Sequence, residues 1–483
     1  MKGRVLVVDV GTSSVRASVI DADARVVTEH RSPLLPSSPA PGLVEFDAAE
    51  MARVAIELAS NALDEVGPVD AVGIANQRAS TVVWDRATSE PVAPGLGWQD
   101  LRTIGRCLEL ANDDLRLAPN QTATKAEHLL DLADPDRTGD LCVGTVDSWI
   151  AWTLSGGRAH VTDASNAQVT GLRTADSTDW ASDRLDRLRI PRAALPSVID
   201  TAGVFGDAVA LPGAPPLAGL IGDQQASLLG QGCVRPGDAK ITFGTGGMLD
   251  VVLGAPPGRL DGRGEAGGTI PIVTRRFDGT DHWGTEGVML SAGTCIEWLR
   301  DDLGLIGTVE ESDAVAGECD DTGDVWFVPA LLGLGTPHWD YGARGTLLGI
   351  TRGTERAHVV RAVLEGIAHR GADLVEAAER DTDLTLARLR VDGGMAANQV
   401  FLSALASAAQ RPVEVAPIRE ATALGAAFCA GHAVGLWADD QHIAETWRPA
   451  QVVAPGEPSD RDRWQDAVAR AGGWIPALSA LDV

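Results

Sequence analysis

The feature that most constrains the fold is a pattern that occurs once in each half of the chain: an apolar strand, a tight turn rich in glycine and threonine, and a second strand. The first copy covers residues 5–10 and the turn 11–14, and the second covers residues 239–243 and the turn 244–247. A supersecondary unit that occurs twice indicates two related halves. We place the boundary between them near residues 235–237, which read Arg-Pro-Gly.

Helical patterns alternate with strand patterns along the chain, which predicts an α/β fold whose sheets are covered by helices. The predicted helices cover residues 48–66, 356–379 and 421–435, and a further helix begins near Ala396. A chain of 483 residues is too long for one ordinary hydrophobic core. We therefore expect three parts: an N-terminal domain of residues 1–234, a C-terminal domain of residues 235–445 and a tail of residues 446–483.

The charge balance excludes several classes of partner. The chain has 67 acidic and 40 basic residues, a formal net charge of −27. Such a surface repels phosphate backbones and anionic membranes, so we expect no nucleic-acid partner and no membrane partner. The basic residues are nearly all arginine, which fits either a GC-rich genome or adaptation to salt.

The location of the protein is predicted from three further features. Met1 leads directly into a strand pattern rather than into a signal peptide. We find no apolar stretch of membrane-spanning length, and none of the six cysteines forms a CxxC pair. We therefore expect a cytoplasmic protein with reduced thiols.

The two glycine turns are candidate phosphate sites. Thr12, Ser13 and Ser14 bring hydroxyl and backbone N–H groups to one point, which suits phosphate oxygens, and Arg16 adds positive charge nearby. Asp9 lies near the end of the preceding strand, where a carboxylate suits a hydrated Mg²⁺ ion. The second turn, at residues 244–247, repeats the argument. Each turn, taken alone, is equally compatible with an ordinary hairpin.

Three other places carry polar groups at strand ends. Asp223 follows the apolar run 217–221, where it can accept a proton from an attacking hydroxyl or simply cap a helix. The turn before Asn398 contains adjacent glycines, which let a purine ring approach the backbone. Arg78 and Trp98 combine a polar group with an aromatic wall, as a polyhydroxy ligand requires, although core packing also explains the tryptophan.

In this order, the motifs resemble the FGGY family of carbohydrate kinases, and among its members the glycerol kinases most closely. The resemblance extends from Val5 to about Trp437. The matching segments are residues 9–16, 73–78, 144–149, 162–167, 222–226, 243–246, 333–340, 345–365 and 391–394.

The resemblance implies a two-domain actin/hexokinase-type, ribonuclease H-like fold with a central cleft. The implied activity is transfer of the γ-phosphate of ATP, with Mg²⁺, to a hydroxyl of a small sugar or polyol. The N-terminal domain would bind the substrate and the phosphates, and the C-terminal domain would bind the nucleotide. Relatives of this kind imply a homodimer or homotetramer.

The matched positions imply a set of site residues. The general base would be Asp223, and Asp9 would act near the metal. The implied substrate residues are Arg78, Ala79, Trp98, Asn120, Gln224 and Met248. The implied nucleotide residues are Thr12, Ser13, Ser14, Arg16, Thr245, Gly246, Gly293, Glu297, Gly394 and Asn398.

The substrate positions depart from the glycerol kinase pattern. Ala79 stands where a glutamate normally binds glycerol, and a tyrosine of the substrate pocket is replaced within residues 119–121, which include Asn120. Met248 replaces a phenylalanine, and Glu297 replaces a glutamine near the nucleotide. The N-terminal signature is also altered after Lys125. These changes predict a substrate other than glycerol, such as a larger polyol or a ketose. The alternatives are a true glycerol kinase, a xylulose- or ribulose-type kinase, a non-catalytic sugar sensor, and a chaperone- or actin-like ATPase.

Overall fold

The computed structural model describes residues 3–173, 179–258, 262–417 and 420–481. Its N-terminal half contains a six-stranded sheet with the strand order β11-β12-β5-β1-β2-β3. The strands are β1 Arg4–Val10, β2 Ser14–Asp21, β3 Val26–Pro33, β5 Ala71–Asn76, β11 Ala202–Asp207 and β12 Pro216–Gly222.

Shorter strands complete this half and form two small sheets, with the orders β4-β7-β6-β8 and β10-β9. They are β4 Glu45–Phe46, β6 Thr81–Asp85, β7 Gly95–Leu96, β8 Leu141–Thr145, β9 Val161–Asp163 and β10 Ser197–Ile199. The helices are α1 Ala48–Val66, α2 Ile104–Asn112, α3 Thr122–Ala133, α4 Val146–Leu154, α5 Ala164–Gln168, α6 Ser182–Arg187 and α7 Asp223–Gly230, with a 3-10 turn at Arg192–Ala194.

The C-terminal half contains a seven-stranded sheet with the order β15-β16-β14-β13-β19-β20-β21, and a separate pair, β17 and β18. The strands are β13 Ala239–Phe243, β14 Gly247–Val252, β15 Ile270–Phe277, β16 Thr280–Met289, β17 Trp326–Val328, β18 Thr346–Leu348, β19 Leu389–Asp392, β20 Val413–Val415 and β21 Gln451–Val453. The helices are α8 Gly293–Asp301, α9 Glu311–Ala316, α10 Arg356–Thr382, α11 Gln399–Ala409, α12 Ala421–Ala433, α13 Asp440–Thr446, α14 Arg461–Ala471 and α15 Pro476–Ser479, with a 3-10 turn at Gly394–Ala397.

The two large sheets share one topology. In each, the first strand forms a hairpin with the next (β1 with β2, β13 with β14), and a third strand, β3 or β16, extends the sheet antiparallel on that side. On the other side, two further strands run parallel, namely β5 and β12 in one sheet and β19 and β20 in the other. The repeat expected from the sequence is therefore a duplicated sheet, and the predicted two-domain α/β fold is confirmed.

Both faces of the N-terminal sheet are covered. Helices α1 and α4 pack on one face, and α7 and α12 pack on the other. Because α12 comes from the C-terminal half, the core of the first sheet is completed by residues far along the chain. The approach is close: a Cβ atom on Gly73 in β5 would lie 2.6 Å from the carbonyl oxygen of Ala426 in α12. Helix α7 also contacts β14 and β15, so it lies between the two sheets.

The β15–β16 hairpin makes a second connection between the halves. The Thr201 N–H donates to the carbonyl of Arg276 at 2.9 Å, and the Arg276 N–H donates back to the Thr201 hydroxyl at 2.9 Å. Arg173 and Asp281 form an ion pair across the same boundary. In the described ranges, no helix is both long enough and apolar enough to cross a membrane.

One predicted helix start is wrong by a few residues. The helix expected near Ala396 begins instead at Gln399, after a 3-10 turn. The physical reason is a cap: the Asn398 side chain accepts a hydrogen bond from the backbone N–H of Phe401 at 2.8 Å, which satisfies a free donor of the first helical turn.

Candidate active site

The central parallel strands of the N-terminal sheet bring several polar residues to one edge. Asn76, the last residue of β5, pairs in register with Val10 in β1 and with Gly222 in β12. The segments that follow these strands therefore meet at the carboxyl edge, where open α/β sheets bind their ligands. Arg78 and Asp223 both lie on these segments.

The first glycine turn is closed by a hydrogen bond from the Gly11 N–H to the Ser14 carbonyl at 3.0 Å. The Trp98 indole N–H donates to the Thr12 hydroxyl at 3.1 Å, so the tryptophan lies against the turn. Ser13 is exposed and Ser14 is buried at the start of β2. The hydrogen bond from Trp98 to Thr12 holds the indole against the turn.

Asp9 is buried two residues before the turn. An Arg16 guanidinium nitrogen lies 3.5 Å from its carboxylate, and the two residues are cross-strand partners. Burial raises the pKa of Asp9 to about 6; the Arg16 charge lowers it, and the Asp223 charge raises it further. The two carboxylates are therefore close enough to influence one another's ionisation.

Asp223 is the first residue of α7 and forms part of a cluster that spans both halves. Arg78 Nε lies 3.6 Å from Asp223 Oδ1, and Arg78 Nη2 lies 2.6 Å from Glu286 Oε2 in β16. Asp223 Oδ1 also accepts the Gln224 N–H at 2.8 Å. Burial raises the pKa of Asp223, while the Arg78 charge opposes that rise.

Gln224 is held by a buried ion pair of the C-terminal sheet. Lys240 Nζ donates to Gln224 Oε1 at 2.7 Å and lies 2.9 Å from Asp250 Oδ2. Burial tends to lower the pKa of Lys240, but the charges of Asp250, Asp392 and Glu286 together with the Asp250 hydrogen bond outweigh it and leave the pKa raised. Asp250 and Glu286 are cross-strand partners in β14 and β16. This cluster around Asp223 and Gln224 is thus built from both halves.

Lys240, Asp250 and Glu286 are absent from the site residues expected from the sequence. All three are buried charged residues, which are seldom fully buried unless they are paired. Lys240 and Asp250 lie within largely apolar strands, whereas the β16 strand around Glu286 is mixed in polarity. A charged residue within an apolar strand pattern was therefore the signal by which the sequence could have identified Lys240 and Asp250. Met248 lies two residues before Asp250 in β14 and therefore shares its sheet face, which is consistent with the expected substrate position.

The second glycine turn contacts the start of α8. The Gly293 N–H donates to the Gly244 carbonyl at 2.9 Å, and the Ala292 N–H donates to the Thr245 carbonyl at 2.9 Å. Any Cβ on Gly293 would lie 2.5 Å from the Gly244 oxygen, so only glycine fits this approach. Glu297 is exposed one helical turn further on, and Gly246 is partly exposed within the turn.

The third turn follows β19, the neighbour of β13. Gly393 has φ of +90°, and a Cβ there would collide with the Phe243 backbone, so the second and third turns are in contact. Gly394 is exposed, and the Asn398 amide donates to the Ser312 hydroxyl at 3.1 Å. Asp392, at the end of β19, accepts a hydrogen bond from the Ser227 hydroxyl of α7 at 2.9 Å.

Ala79 and Asn120, which replace two substrate ligands of the resembled kinases, are brought together by Lys125. The buried Lys125 Nζ donates to the Ala79 carbonyl at 3.3 Å and to the Asn120 carbonyl at 3.1 Å. Burial lowers the pKa of Lys125 to about 7. Ala79 itself is buried and has φ of +60°. The sequence predicted both replaced positions as substrate residues, but it did not assign Lys125, which joins them, to the site.

The predicted site residues thus fall into contiguous groups. Trp98 joins the substrate group to the first turn. Its backbone N–H donates to the hydroxyl of Ser80, beside Arg78 and Ala79, at 3.0 Å, and its indole N–H donates to Thr12. The second and third turns share the Phe243–Gly393 contact. Helix α7 connects the groups, since its first residue is Asp223 and its later residue Ser227 binds Asp392.

Comparison with known proteins identifies the family of the chain. The N-terminal domain model of the FGGY family of carbohydrate kinases matches residues 4–230, and the C-terminal domain model matches residues 239–434. A glycerol kinase from Trichlorobacter lovleyi is 41% identical over 495 residues, which cover 97% of this chain and 99% of the relative. A glycerol kinase from Aromatoleum aromaticum is 41% identical over 498 residues, which cover 98% of this chain and 99% of the relative.

A solved structure shares the fold over the full length. The crystal structure of Plasmodium falciparum glycerol kinase with ADP has a TM-score of 0.90 and 26% identity, and the match covers 100% of this chain and 99% of that one. The two domain matches, the relatives and the duplicated sheet agree: the chain belongs to the FGGY family of carbohydrate kinases, phosphotransferases that act on a hydroxyl group.

Proposed function

We propose that this kinase transfers the γ-phosphate of ATP to a hydroxyl of a polyol or small sugar other than glycerol, with Asp223 as the general base. The observation that carries the assignment of the base is the position of Asp223. It is a half-buried carboxylate at the carboxyl edge of the N-terminal sheet, 3.6 Å from Arg78 and joined through it to Glu286 of the other half.

The acceptor hydroxyl is bound and deprotonated by this cluster. A raised pKa makes the ionised Asp223 a stronger base than an aspartate in water. Arg78 keeps the carboxylate in place, and its buried Nη1 has no hydrogen-bond partner in the described part of the chain. A substrate hydroxyl would satisfy that donor, which would otherwise carry the cost of an unpaired buried group.

The phosphate groups are positioned by the glycine turns. Phosphoryl transfer requires little covalent work from the protein, so positioning and charge neutralisation dominate. In our proposal Thr12, Ser13, Ser14 and Arg16 contact the transferred phosphate, and Thr245 and Gly246 contact the neighbouring one. The remaining nucleotide contacts come from Gly293, Glu297, Gly394 and Asn398. The partly exposed turns and the open space beside Gly394 support this arrangement.

The residues present fit Mg²⁺ bound mainly by water and phosphate. In the described ranges, no three His, Cys, Asp or Glu side chains form a metal cage. Mg²⁺ commonly takes one or two carboxylates and completes its shell with water and nucleotide phosphates. Asp9, a buried carboxylate influenced by the charge of Asp223, supplies such a ligand. When bound, Mg²⁺ would neutralise charge on the phosphates.

The choice of a substrate other than glycerol rests on Ala79, Asn120 and Met248. An alanine cannot accept hydrogen bonds from substrate hydroxyls, and losing a buried acceptor weakens selection of a hydroxylated ligand by roughly 1–3 kcal/mol. The second candidate is a true glycerol kinase, which the names of the two 41% identical relatives favour.

A screen of ADP release over polyols, aldoses and ketoses separates the two candidates. We expect kcat/KM for at least one larger polyol or ketose to exceed that for glycerol. The variant Ala79→Glu should shift the ratio toward glycerol, and Ala79→Gln, which has the same size without the charge, serves as the matched control. Glycerol turnover by the unaltered protein far above every other compound would refute the altered-pocket proposal.

The assignment of Asp223 is tested separately with the best substrate of that screen. Asp223→Asn should lower kcat by about 10²–10⁴-fold while ADP binding survives. The matched control is Asp183→Asn, at an exposed acid on α6. Near-normal turnover by Asp223→Asn would show that another group takes the proton.

The remaining properties are part of the same proposal. We propose that residues 1–234 and 235–445 act as the two domains that close on the ligands, with residues 446–483 as a tail. We propose a cytoplasmic location, which six cysteines without a disulfide support. A homodimer or homotetramer is proposed from the family resemblance.

A further inference from the structure

A cavity of about 260 Å³ lies far from the glycine turns, at the opposite edge of the C-terminal sheet. It is bordered by Asp238, which precedes β13, by Arg388 and Arg390 at the amino end of β19, and by Arg448 after α13. The turns occupy the carboxyl ends of the same strands. One water needs roughly 10–15 Å³ of such space, so the cavity has room for a molecule of several heavy atoms.

The cavity wall is cationic in a strongly acidic protein. Four arginines line it, Arg235, Arg388, Arg390 and Arg448, against two carboxylates, so the local charge is positive although the chain has a net charge of −27. The net charge of the chain as a whole repels anions. Asp238, one of the two carboxylates, already accepts a hydrogen bond within its own turn, from the backbone N–H of Arg235 to Oδ2 at 2.9 Å.

Arg390 is fixed in place at the inner wall. Its side chain is buried, its guanidinium lies 4.1 Å from the centre of the Trp447 ring, and Nη1 donates to the Gln231 carbonyl. Nε lies 3.4 Å from Glu414 Oε2. A guanidinium held by stacking and hydrogen bonds loses little side-chain entropy when it binds a ligand.

Arg388 and Arg448 form the exposed part of the wall. Arg388 Nη1 lies 3.4 Å from Glu414 Oε1, so this one carboxylate is shared with Arg390. Arg448 Nη1 donates to the carbonyls of Glu445 and Trp447. Those contacts run through a single nitrogen of each arginine, and a guanidinium has five N–H donors. Donor capacity therefore remains at the cavity.

We propose that this cavity is a binding site for a small phosphate-bearing anion, separate from the catalytic cleft. A phosphate group carries nearly two negative charges at pH 7, which balances the excess of four arginines over two carboxylates. Planar guanidinium groups match phosphate oxygens through paired hydrogen bonds. The same phosphate chemistry could come from an inorganic ion or from a phosphorylated metabolite.

Calorimetric titration with pyrophosphate tests the proposal. The full chain is saturated with ADP, without Mg²⁺, so that the nucleotide site is occupied, and ionic strength is held constant with chloride. We expect one pyrophosphate per chain. The double variant Arg388→Gln/Arg448→Gln should raise the pyrophosphate Kd at least about 10-fold, because each lost guanidinium removes charge-assisted hydrogen bonds. Inorganic phosphate and a sugar phosphate, titrated in parallel, distinguish the two sources by their affinities.

Two controls identify the site. Arg53→Gln/Arg470→Gln removes two exposed arginines elsewhere and should leave the Kd within about twofold of the unaltered protein, since bulk charge changes equally. Arg16→Gln, in the cleft, should also leave it unchanged. If the double variant unfolds, Arg448→Gln alone is used, because that side chain is exposed.

Three results would overturn the proposal: no saturable binding by the unaltered protein below about 10 mM, equal binding by Arg388→Gln/Arg448→Gln, or loss of binding in Arg16→Gln, which would place pyrophosphate in the cleft. The binding test is independent of which substrate the kinase uses. A negative result for the anion site leaves the proposed function unchanged, and a negative result for the proposed function leaves the anion site unchanged.

Discussion

Two buried ionisable residues near the site, Asp9 and Lys125, are displaced toward their neutral forms. Burial raises the pKa of Asp9 to about 6 and lowers that of Lys125 to about 7. Because one is an acid and the other a base, they make stability depend on pH with opposite signs. Substituting Asp9 and Lys125 one at a time measures the contribution of each to the pH dependence of stability.

The Asp9→Asn variant should gain stability relative to the unaltered protein as pH rises from 4.5 to 8, by about 2 kcal/mol. The folded protein holds the Asp9 proton up to about pH 6, so this stabilisation is fully present below the unfolded pKa of 3.8 and is lost as pH rises through 6. Urea unfolding at both pH values measures the difference. A difference that does not change with pH would mean that the pKa of Asp9 is not raised.

For Lys125→Met, we expect the variant to lose stability relative to the unaltered protein as pH rises. The folded protein releases the lysine proton near pH 7 and the unfolded chain near 10.5, so the unaltered protein should gain about 2–3 kcal/mol over the variant between pH 7 and pH 9. Because Lys125 also holds the carbonyls of Ala79 and Asn120, KM for the acceptor should rise while ADP binding stays unchanged. An unaltered KM would remove Lys125 from the substrate site.

The crossing of α7 and α12 depends on glycine. A Cβ on Gly425 would collide with the carbonyl of Ala226, and a Cβ on Gly230 would collide with that of Ala421. The two helices therefore touch backbone to backbone. Since α7 begins with Asp223, the crossing sets where the proposed base lies relative to both sheets.

Gly425→Ala should lower the free energy of unfolding by about 1–3 kcal/mol and reduce kcat, because α7 must move away from α12. The matched control is Gly105→Ala in α2, where a Cβ meets nothing within 4 Å and the added helix propensity should stabilise by up to about 1 kcal/mol. Chemical unfolding and steady-state kinetics check both. Equal stability of the two variants would contradict the close crossing.

The elements show why part of the site was predictable and part was not. The Gly11 and Gly244 turns, Asp223 and Gly393 lie in local strand–turn patterns, which short stretches of sequence encode. Glu286 meets Arg78 only because strand pairing joins residues more than 200 positions apart, and no local pattern carries that information. The helix start at Gln399 was misplaced because a side-chain cap, rather than periodicity, decides it.

At the scale of the whole molecule, the net charge of −27 acts against the compact state through self-repulsion. Salt screens such repulsion, with the Debye length falling from roughly 14 Å at 0.05 M to roughly 4 Å at 0.5 M. We therefore expect Tm to rise by a few degrees between these NaCl concentrations. A neutral osmolyte of equal osmolarity serves as the control, and a Tm that falls with NaCl would contradict the argument.

The packing of α12 on the N-terminal sheet has a consequence for synthesis on the ribosome. The sheet is complete once β12 has been made, yet the helix that covers one of its faces follows about 200 residues later. At roughly 5–20 residues per second, that face waits roughly 10–40 s for its cover. During this interval the nascent chain exposes an apolar surface to its surroundings. Chains that stop short of residue 421 keep that surface, and quality control should remove them or they should aggregate.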